Sequence, residues 1–571
     1  MVFRVANRGP NLKRKLRNLA NHHYDLAIVG GGIYGACIAW EASLRGFRVC
    51  LIEKSDFGSA TSANSLKIIH GGLRYLQHGN LLAMRKLIHE RRTWMGIAPH
   101  LVHPLPVLIP TYSHYERNML SAAILVNNLL NLDRNSVENP QKSVPAGKMI
   151  SKSQCLEFLP GLSEDGLTGG VVFYDAQIYN TERLLLSFLR SAEKMGADMA
   201  NYIEARKLLK VGTRILGVEV KDVLTGDTFS IQAKAVANTC GPWLNDGLFS
   251  STETATTGRP VYAKAINLLT RPLFERYAVG LLGHNGYSHR NAVLPKRKAR
   301  LFVTPWRDRS LIGTHYAPYH GAPDDFKVTE QDVQAFLDEI NASHSAAALT
   351  MHDVTLVHGG LLPAANTSST TGEVELSTKT EILDQSNGGI GGVLSVKGVK
   401  YTTARLVAER VVDRVFEGNL KKPPRSLSSL TPIYGGEIDG LERFVRSETH
   451  KQPFGLTEKT IRRLICNYGS SYPEVLQYFN FGAECQGSTE ELAVLRAEII
   501  HGVRDEMAQK LSDVVFRRTE LGTAGYPGSE ALAICANVMS AELAWTPERT
   551  RRELSETTRA FGIGGCDTTT R

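Results

Sequence analysis

A single segment near the start of the chain limits what the chain can fold into. A β-rich run from Tyr24 to Val29 leads directly into Gly30-Gly31-Gly32-Ile33-Tyr34-Gly35, helical composition follows from Ala36 to Leu44, and β-rich composition returns from Phe47 to Ile52. This order of strand, glycine-rich turn, helix and strand predicts a β-α-β unit. Because the glycines have G-x-G-x-x-G spacing between a strand and a helix, we predict that the unit binds a dinucleotide.

The residues of this motif have distinct tasks. One glycine makes the tight turn, one lets the backbone approach a pyrophosphate, and one allows the helix to pack closely on the sheet. These three are Gly30, Gly32 and Gly35. Glu53 ends the second strand 23 residues after Gly30, where its carboxylate can accept hydrogen bonds from a ribose 2′-hydroxyl and disfavours the 2′-phosphate of NADP. Lys54, beside it, is a further candidate cofactor contact.

The block from Ser59 to Tyr75 distinguishes a flavin from a nicotinamide cofactor. Its small hydroxyl residues and its glycine pair can let the backbone lie against a flat ring system, and an NAD-binding domain does not usually continue in this way. Arg74 and Tyr75 add a fixed cation and a phenol beside the ring. We therefore predict FAD and an anionic substrate. The candidate cofactor contacts in this block are Thr61, Ser62, Ser65, His70, Gly71 and Gly72.

The length of the chain, 571 residues, predicts several domains. Strand-like runs at 235–238 and 392–396 also end in glycine-containing turns, so the nucleotide-binding core is expected to be discontinuous, with the intervening stretches forming a second layer over the site. Pro423-Pro424 and the serine-rich stretch after them indicate a linker. Beyond it we predict a helical domain, in which one amphipathic helix carries Met507, Leu511, Val514 and Val515.

The formal charge of +9 favours anionic partners such as phosphorylated substrates, acidic headgroups or nucleic acid. Outside the N-terminus the basic residues are diffuse, and no motif interleaves aromatic with basic residues, so we predict no nucleic-acid partner. Residues 1–23 are basic and contain no acidic residue. They are expected to be a solvated extension, a segment lying on an anionic membrane, or an organelle presequence.

Cysteine spacing and hydropathy bear on the location of the protein. The eight cysteines form no C-x-x-C pair and show no metal-ligand spacing, which predicts reduced thiols in a cytosol-like compartment and no metal. No apolar run approaches the ~20 residues of a spanning helix. The apolar stretch Leu120 to Val126, with Leu129-Leu130, is compatible with either peripheral membrane contact or an ordinary buried helix. We therefore expect a cytoplasmic protein and leave open a peripheral position on the inner face of the membrane.

Six blocks together resemble the FAD-dependent glycerol-3-phosphate dehydrogenases and oxidases of the D-amino-acid-oxidase-like flavoprotein fold. The blocks are VGGGIYG around Gly30, ATSANSLKIIHGGLRYL from Ala60, APHLVHPLP from Ala98, NTCGPW ending at Trp243, TPWRDRSLIGT ending at Thr314 and VKGVKYTTAR ending at Arg405. The helical tail is also similar to that family's C-terminal domain. The resemblance implies an α/β fold, α+β overall, with a discontinuous GR2-type FAD-binding Rossmann-like domain, an antiparallel-sheet substrate domain and a C-terminal α-helical domain.

The implied domain division places an FAD-dependent oxidoreductase region at residues 24–420. Within it, the FAD-binding domain would be built from about 24–110, 165–245 and 350–415, and the substrate-binding cap mainly from 246–350. The helical domain would cover 425–555, followed by a tail at 556–571.

By resemblance, the chain would oxidise sn-glycerol 3-phosphate to dihydroxyacetone phosphate, with a hydride moving from C2 to flavin N5 and electrons passing to quinone or oxygen. Arg74 and Lys400 would hold the substrate dianion or the developing alkoxide, and Tyr75 and Lys264 would be further substrate contacts. Lys400 lies in a block similar to the family's G-G-K-x-T-T loop, which also contacts the flavin. The remaining implied cofactor contacts are Gly241, Trp243, Gly398 and Thr402. A homodimer is a further expectation.

Three positions depart from the family pattern. Leu362 stands where the family has a substrate-phosphate arginine, Asn267 where it has a histidine, and Tyr316 where it has an aspartate. Loss of hydride from C2 requires the hydroxyl proton to leave, so another base is needed, and His358 and His315 are the candidates. The departures leave two alternatives open: a related flavoenzyme acting on another small hydroxy or amino compound, and a flavin-binding protein without turnover.

Overall fold

A computed structural model describes residues 12–132, 144–244, 261–282, 300–367, 374–377, 379–388, 390–417, 423–479 and 489–562. The strands, in chain order, are β1 His23–Val29, β2 Val49–Glu53, β3 Ile68–Ile69, β4 Val102–Thr111, β5 Lys148–Ile150, β6 Gly169–Ile178, β7 Asp198–Asn201, β8 Ile203–Val211, β9 Arg214–Asp222, β10 Thr228–Asn238, β11 Tyr262–Thr270, β12 Ala278–Leu282, β13 Arg300–Trp306, β14 Arg309–Tyr319, β15 Val354–Thr367, β16 Val374–Leu376, β17 Glu381–Asp384 and β18 Val393–Lys397.

The α-helices, in chain order, are α1 Leu16–Asn21, α2 Ile33–Leu44, α3 Leu81–Ile97, α4 His114–Leu130, α5 Lys152–Phe158, α6 Thr181–Lys194, α7 Glu330–Ser343, α8 Ala404–Glu417, α9 Leu441–His450, α10 Glu458–Tyr468, α11 Tyr472–Leu476, α12 Glu490–Asp505, α13 Leu511–Asp513, α14 Ser529–Leu543 and α15 Pro547–Arg559. None of these described helices is both long and apolar enough to cross a bilayer.

The first sheet contains the predicted β-α-β unit. Its path runs β17-β18-β10-β1-β2-β7, and the strands from β18 to β7 are parallel. Strands β9 and β8 extend it as an antiparallel hairpin from β10. Helices α2, α6 and α8 pack together on one face. Since both faces are covered, the last four residues of β1, Leu26 to Val29, are all apolar and buried, as expected for a parallel strand.

The second sheet is antiparallel except where β12 pairs with β4, and its path runs β16-β15-β11-β14-β13-β12-β4-β6-β3. Helix α7 covers one face, with its apolar side against β11 and β14. Strands β4, β6 and β15 belong to this second sheet, so the segments expected to build the FAD-binding domain contribute strands to both sheets. The division into an FAD-binding domain and a cap stays a prediction. Pairing in this sheet is non-local, and strand composition does not indicate which distant strand becomes the partner.

The chain ends in the helices α9 to α15, whose apolar side chains form two clusters of their own. The single amphipathic helix expected around residues 507–515 is wrong. Helix α12 ends at Asp505, Met507 has a φ of 58°, and the chain continues as α13 and a π-helical segment, Val514–Arg518. A buried ion pair stabilises the break. Glu506 is fully buried, and the Arg183 guanidinium donates to its two carboxylate oxygens at 2.6 and 2.8 Å.

The described part of the basic N-terminal segment is docked on the protein instead of extending into solvent. Leu12 is fully buried, and its N–H donates to the carbonyl oxygen of Asp505 at 3.0 Å. Arg14 forms a 2.9 Å ion pair with Asp222. These contacts correct the expectation of a solvated extension for residues 12–23. Residues 1–11 lie outside the described part of the chain.

Candidate functional site

The turn between β1 and α2 has a shape that requires glycine. Gly30 has a φ of 108°, and a Cβ there would lie 2.6 Å from the carbonyl oxygen of Thr239 at the end of β10. A Cβ on Gly35 would overlap the carbonyl oxygen of Gly30, so the helix packs directly on the turn. Helix α2 begins at Ile33, three residues earlier than its composition indicated, with Gly32 as its N-cap. The turn therefore places the positive end of a helix at the carboxyl edge of the parallel strands, where such folds bind pyrophosphate.

Two predicted cofactor residues lie against this turn. Glu53 accepts hydrogen bonds from the backbone N–H groups of Gly31 at 2.7 Å and Ser55 at 2.9 Å. Burial raises the pKa of Glu53, and these two donors oppose the rise. Ser62 accepts from the N–H of Ile33 at 3.0 Å. Each carboxylate oxygen of Glu53 has a second lone pair for a ligand hydroxyl.

Lys54 and Trp243 meet at the mouth of this end of the site. The Lys54 ammonium lies 4.1 Å from the centroid of the Trp243 ring and 3.2 Å from Oδ1 of Asp324. The indole N–H of Trp243 donates to the same oxygen at 2.7 Å, and this bond, followed by Lys54, lowers the pKa of Asp324. Gly241 begins the 3₁₀ turn that carries Trp243. The structure thus brings together the predicted residues Lys54, Gly241 and Trp243. Asp324, which binds the side chains of Lys54 and Trp243, was not predicted from the sequence.

Residues 59–66 form the seam between the two sheets. The hydroxyl of Thr61 donates to the carbonyl of Leu361 in β15 at 3.3 Å, and the Asn267 side chain in β11 donates to the carbonyl of Asn64 at 3.1 Å. The hydroxyl of Ser65 accepts from the N–H of Lys67 at 3.2 Å. Thr61 therefore ties this block to the second sheet, whereas Ser65 supports the local turn of the block.

His70 follows β3 at the seam and is paired with a buried carboxylate. Its ring Nδ1 lies 3.3 Å from Oδ2 of Asp175 in β6, while the side chain stays 49% exposed. The other oxygen, Oδ1, accepts from the N–H of Gly71 at 2.6 Å and lies 3.3 Å from Arg91. Burial alone would raise the pKa of Asp175, but His70, Arg91 and the Gly71 N–H hold it below its usual range. This histidine is oriented by an ionised carboxylate and presents its ring to open space.

The loop after β18 joins the same place. The Lys400 ammonium contacts the phenolic oxygen of Tyr75. The Tyr34 hydroxyl donates to the carbonyl of Lys400 at 2.8 Å and accepts from its N–H at 3.1 Å, and a Cβ on Gly398 would overlap the Tyr34 ring. Thr402 accepts from the N–H of His70 at 3.2 Å. The loop that carries Lys400 and Thr402 therefore contacts the 70–75 segment at two points, His70 and Tyr75.

Arg74 is the second residue of the 3₁₀ turn Leu73–His78, whose N-cap is Gly72. Its side chain lies outside the described residues. Its predicted role in substrate binding stays a prediction.

Two residues proposed for chemistry face away from the seam. Lys264 forms a 2.7 Å ion pair with Asp332 of α7, and the Nδ1 of His315 lies 2.9 Å from Glu339 of the same helix. Side chains alternate along a strand, so Asn267, three residues after Lys264, faces the seam instead. The structure corrects the substrate role of Lys264 and the base role of His315, because both point into the α7 layer.

His358 lies opposite Asn267 in the register of β11 and β15, on the seam side of the sheet. However, it is only 5% exposed, its Nδ1 lies 3.2 Å from Oδ1 of Asn64, and among the described residues its buried Nε2 has no hydrogen-bond partner. Burial, and then the nearby Lys67 ammonium, lower its pKa to about 3. The ring is neutral but enclosed, so the predicted catalytic role of His358 needs correction: neither nitrogen reaches open space.

Leu362 and Tyr316, the other two positions that differ from the family pattern, do not supply charged groups. Leu362 lies four residues after His358 on the same face of β15. Tyr316 packs against the small cluster formed by Ala263, Ala364 and Val374. Neither position supplies a cation or a carboxylate to the seam.

Sequence reasoning missed Tyr34, Asp175, Arg91 and Asp324. Two of them had signals: Tyr34 lies inside the glycine motif, and Asp175 is the single charged residue in the mainly apolar run Gly169–Ile178. Arg91 and Asp324 carried no comparable signal, since their partners are distant in sequence.

The geometry fits a dinucleotide joined to a flat ring system. The glycine turn, Ser62 and Glu53 leave backbone amides and a carboxylate at one end, as a pyrophosphate and a ribose need. At the seam, His70, Tyr75 and Lys400 offer a polar, cationic lining.

Two family models match the chain. The model described as FAD dependent oxidoreductase matches residues 25–413, and the model described as C-terminal domain of alpha-glycerophosphate oxidase matches residues 427–550.

Similar proteins span almost the whole chain. A glycerol-3-phosphate dehydrogenase of Synechocystis is 31% identical over 95% of this chain and 97% of its own. The mitochondrial glycerol-3-phosphate dehydrogenase of Bos taurus is 28% identical over 98% of this chain and 76% of its own. The crystal structure of a glycerol-3-phosphate dehydrogenase from Bacillus halodurans complexed with FAD superposes with a TM-score of 0.74 at 24% identity, covering 98% of this chain and 99% of that one.

Proposed function

We propose the function of this chain from its family: it belongs to the FAD-dependent oxidoreductases and, within them, to the glycerol-3-phosphate dehydrogenases. It oxidises sn-glycerol 3-phosphate to dihydroxyacetone phosphate. The observation that carries this conclusion is the match of both the oxidoreductase region and the C-terminal domain, with a full-length relative 31% identical. The predicted family, fold class and FAD cofactor are confirmed.

When bound, FAD supplies the acceptor for the hydride that leaves C2 of the substrate. Among this chain's residues, the amides at the start of α2 would hold the pyrophosphate, and Glu53 the adenosine ribose. Lys54 and Trp243 would close that end, while Gly71, Gly398 and Thr402 would line the ring system with their backbone. These roles are supported by the positions of the residues around one turn and one seam.

Lys400 would meet the substrate's negative charge. Its ammonium is held at the seam by contact with Tyr75 and by the Tyr34 clamp on its backbone. A cation there would stabilise the developing alkoxide at C2 or the phosphate, since charge-assisted bonds are strong in a closed site. Because Leu362 is apolar, phosphate recognition would depend on Lys400 together with Arg74.

His70 would take the hydroxyl proton. Three observations favour it over His358 and His315: its ring is half exposed, Asp175 orients it, and it adjoins the Lys400 loop through Thr402. An imidazole held by a carboxylate accepts a proton at one nitrogen while the other stays hydrogen-bonded.

The electron acceptor would be a quinone, reached at a membrane surface on the cytoplasmic side. Support comes from leucines exposed around the start of α3 and the end of α4, helices joined by a 2.6 Å hydrogen bond from Arg85 to the carbonyl of Leu130. These residues are Leu82, Leu125, Leu129 and Leu132. Oxygen is the alternative acceptor, and oxygen uptake during turnover would identify it.

The test is anaerobic reduction of the purified flavoprotein. Anaerobic mixing with glycerol 3-phosphate should bleach the absorbance band of the oxidised flavin. Glycerol and a panel of hydroxy and amino acids, mixed in the same way, should not. Bleaching by one of those compounds and not by glycerol 3-phosphate would overturn the substrate assignment.

A matched pair of lysine variants tests the site in the same assay. Lys400→Met should slow bleaching by at least tenfold, because it removes the seam cation. Lys264→Met, which changes only the α7 face, should bleach at the rate of the parent protein. Equal rates in the two variants would show that Lys400 does not meet the substrate.

A further inference from the structure

The turn that follows Glu53 is held by the C-terminal helical domain. Asp56 is almost fully buried, and its carboxylate accepts three hydrogen bonds from the π-helical segment: two from Arg518, both at 2.8 Å, and one from Arg517 at 2.6 Å. Asn201 at the end of β7 donates a fourth, at 2.9 Å. Burial alone would raise the pKa of Asp56, but Arg518 and Arg517 hold it far below its usual range.

The neighbouring contacts extend this connection. The N–H of Tyr202 donates to the carbonyl of Ser55 at 3.0 Å, and the Tyr202 hydroxyl donates to Asp513 at 2.7 Å. Asp513 also accepts from Arg517 at 2.8 Å. The strand end at 201–202 is therefore fixed on one side to the turn and on the other to the helical domain.

The same turn fixes the glycine motif. Glu53 accepts from the N–H of Gly31, and the N–H of Gly58 donates to the carbonyl of Gly31 at 3.1 Å. Phe57 is buried against Gly31, where a Cβ would lie 2.7 Å from its ring. Only Lys54 and Ser55 separate Glu53 from Asp56, and Glu53 accepts from the N–H of Ser55, so a movement of Asp56 is expected to displace Glu53 and, through it, Gly31.

We propose that the C-terminal helical domain is part of the FAD site: Arg517 and Arg518 position the 53–58 turn through Asp56, so that FAD affinity and docking of the helical domain are thermodynamically coupled. Coupling of this kind is reciprocal, because each event stabilises the arrangement that the other requires. The two arginines are positioning residues, since they reach the cofactor site only through Asp56. The proposal rests on the FAD site and not on the identity of the substrate.

The first test measures FAD affinity. Apoprotein of Arg518→Lys, which keeps the charge but loses the two-bond geometry, should bind FAD at least tenfold more weakly by flavin fluorescence titration. Arg462→Lys is the matched control, because Arg462 makes a similar two-bond pair with Glu442 at 2.7 Å entirely within the helical domain. It should bind FAD within twofold of the parent protein. Equal affinities in both variants would overturn the proposal, and no substrate enters the measurement.

A second test needs no variant and so does not depend on whether Arg518→Lys folds. Amide hydrogen exchange of the full chain is compared with and without FAD. Protection should rise at 53–62 and also at 511–519, while α9, at 441–450, should exchange at an unchanged rate. Protection at 53–62 without any at 511–519 would overturn the coupling.

Discussion

At the scale of single residues, the identity of the base depends on which histidine has an accessible nitrogen. His358 and Asn267 share the seam face, yet the His358 ring is enclosed and Asn64 occupies its Nδ1 side. His70 has the opposite properties: a half-exposed ring and a buried carboxylate behind it. The distinction is invisible in the sequence, because Asp175 lies 105 residues away from His70.

We expect His70→Asn to lower kcat/KM for glycerol 3-phosphate by about 10²- to 10³-fold, the usual contribution of a general base. FAD should still bind, as shown by the flavin absorbance of the purified variant. The rate of flavin bleaching in this variant should rise with pH, since hydroxide then replaces the lost base. Stopped-flow mixing with glycerol 3-phosphate at several pH values measures the loss of rate and its pH dependence.

His358→Asn is the control for this experiment. It removes a histidine ring that lies on the seam face of the second sheet but, unlike the His70 ring, is enclosed, and we expect less than a tenfold loss of kcat/KM. If the His358 variant loses as much as the His70 variant, or if the bleaching rate of the His70 variant does not respond to pH, the assignment of His70 as the base is wrong.

At the scale of elements, the sequence predicted what is encoded locally. The first β-α-β unit is found where the glycine motif placed it, because strand, turn and helix are neighbours in the chain. The face of Lys264 was not predictable, because it depends on the bulge and pairing of β11 between β14 and β15. The break after α12 was missed for a similar reason: periodicity at 507–515 is helical, but burial of Glu506 against Arg183 overrides it.

Helix α4 carries a prediction at the same scale. Leu120 and Ile124 face the protein, whereas Leu125 and Leu129, one turn apart, are exposed. We expect Leu125→Asp with Leu129→Asp to reduce co-sedimentation with vesicles of phosphatidylglycerol and phosphatidylcholine by at least fivefold. Bleaching by glycerol 3-phosphate should not change, because α4 is not part of the seam.

The control for membrane binding is a second pair of exposed apolar residues, Val211 and Leu216, on the β8–β9 hairpin. Changing both to Asp alters the net charge equally and should leave co-sedimentation intact. If the two double variants lose binding to the same extent, the effect is one of charge, and the leucines of α4 are not a membrane contact.

At the scale of the whole molecule, segments that are far apart in sequence converge on residues 505–506. Leu12 pairs with the backbone there, Arg183 of α6 pairs with Glu506, and Arg518 donates to the carbonyl of Glu506 at 3.0 Å. The N-terminal segment, the nucleotide-binding region and the helical domain are thus joined at one buried location. The described part of the basic N-terminal segment, from Leu12 onward, is therefore packed against the protein, which its composition alone could not indicate.

A second buried contact, between His100 and the segment 433–436, is sensitive to pH. His100 is fully buried beside Gly435, where the chain enters the helical domain, and among the described residues neither of its ring nitrogens has a hydrogen-bond partner. Burial lowers its pKa from 6.5 to about 3, with smaller contributions from His103 and Arg183. Between those two values the unfolded chain binds a proton that the folded chain does not, so the free energy of unfolding must fall as pH falls from about 6.5 toward 3.

We expect His100→Leu to remove this part of the pH dependence. The stability of the parent protein should decline more steeply than that of the variant between pH 6 and pH 4, by roughly 1 kcal/mol per pH unit for one such histidine. Urea unfolding at several pH values measures the difference, with the exposed His352→Gln as the control that should follow the parent curve. Parallel curves for the parent protein and His100→Leu would mean that His100 is protonated in the folded state. A charged His100 ring could not stay buried beside Gly435, so the contact with 433–436 would have to open. That opening would appear as loss of hydrogen-exchange protection in residues 433–436 below pH 6.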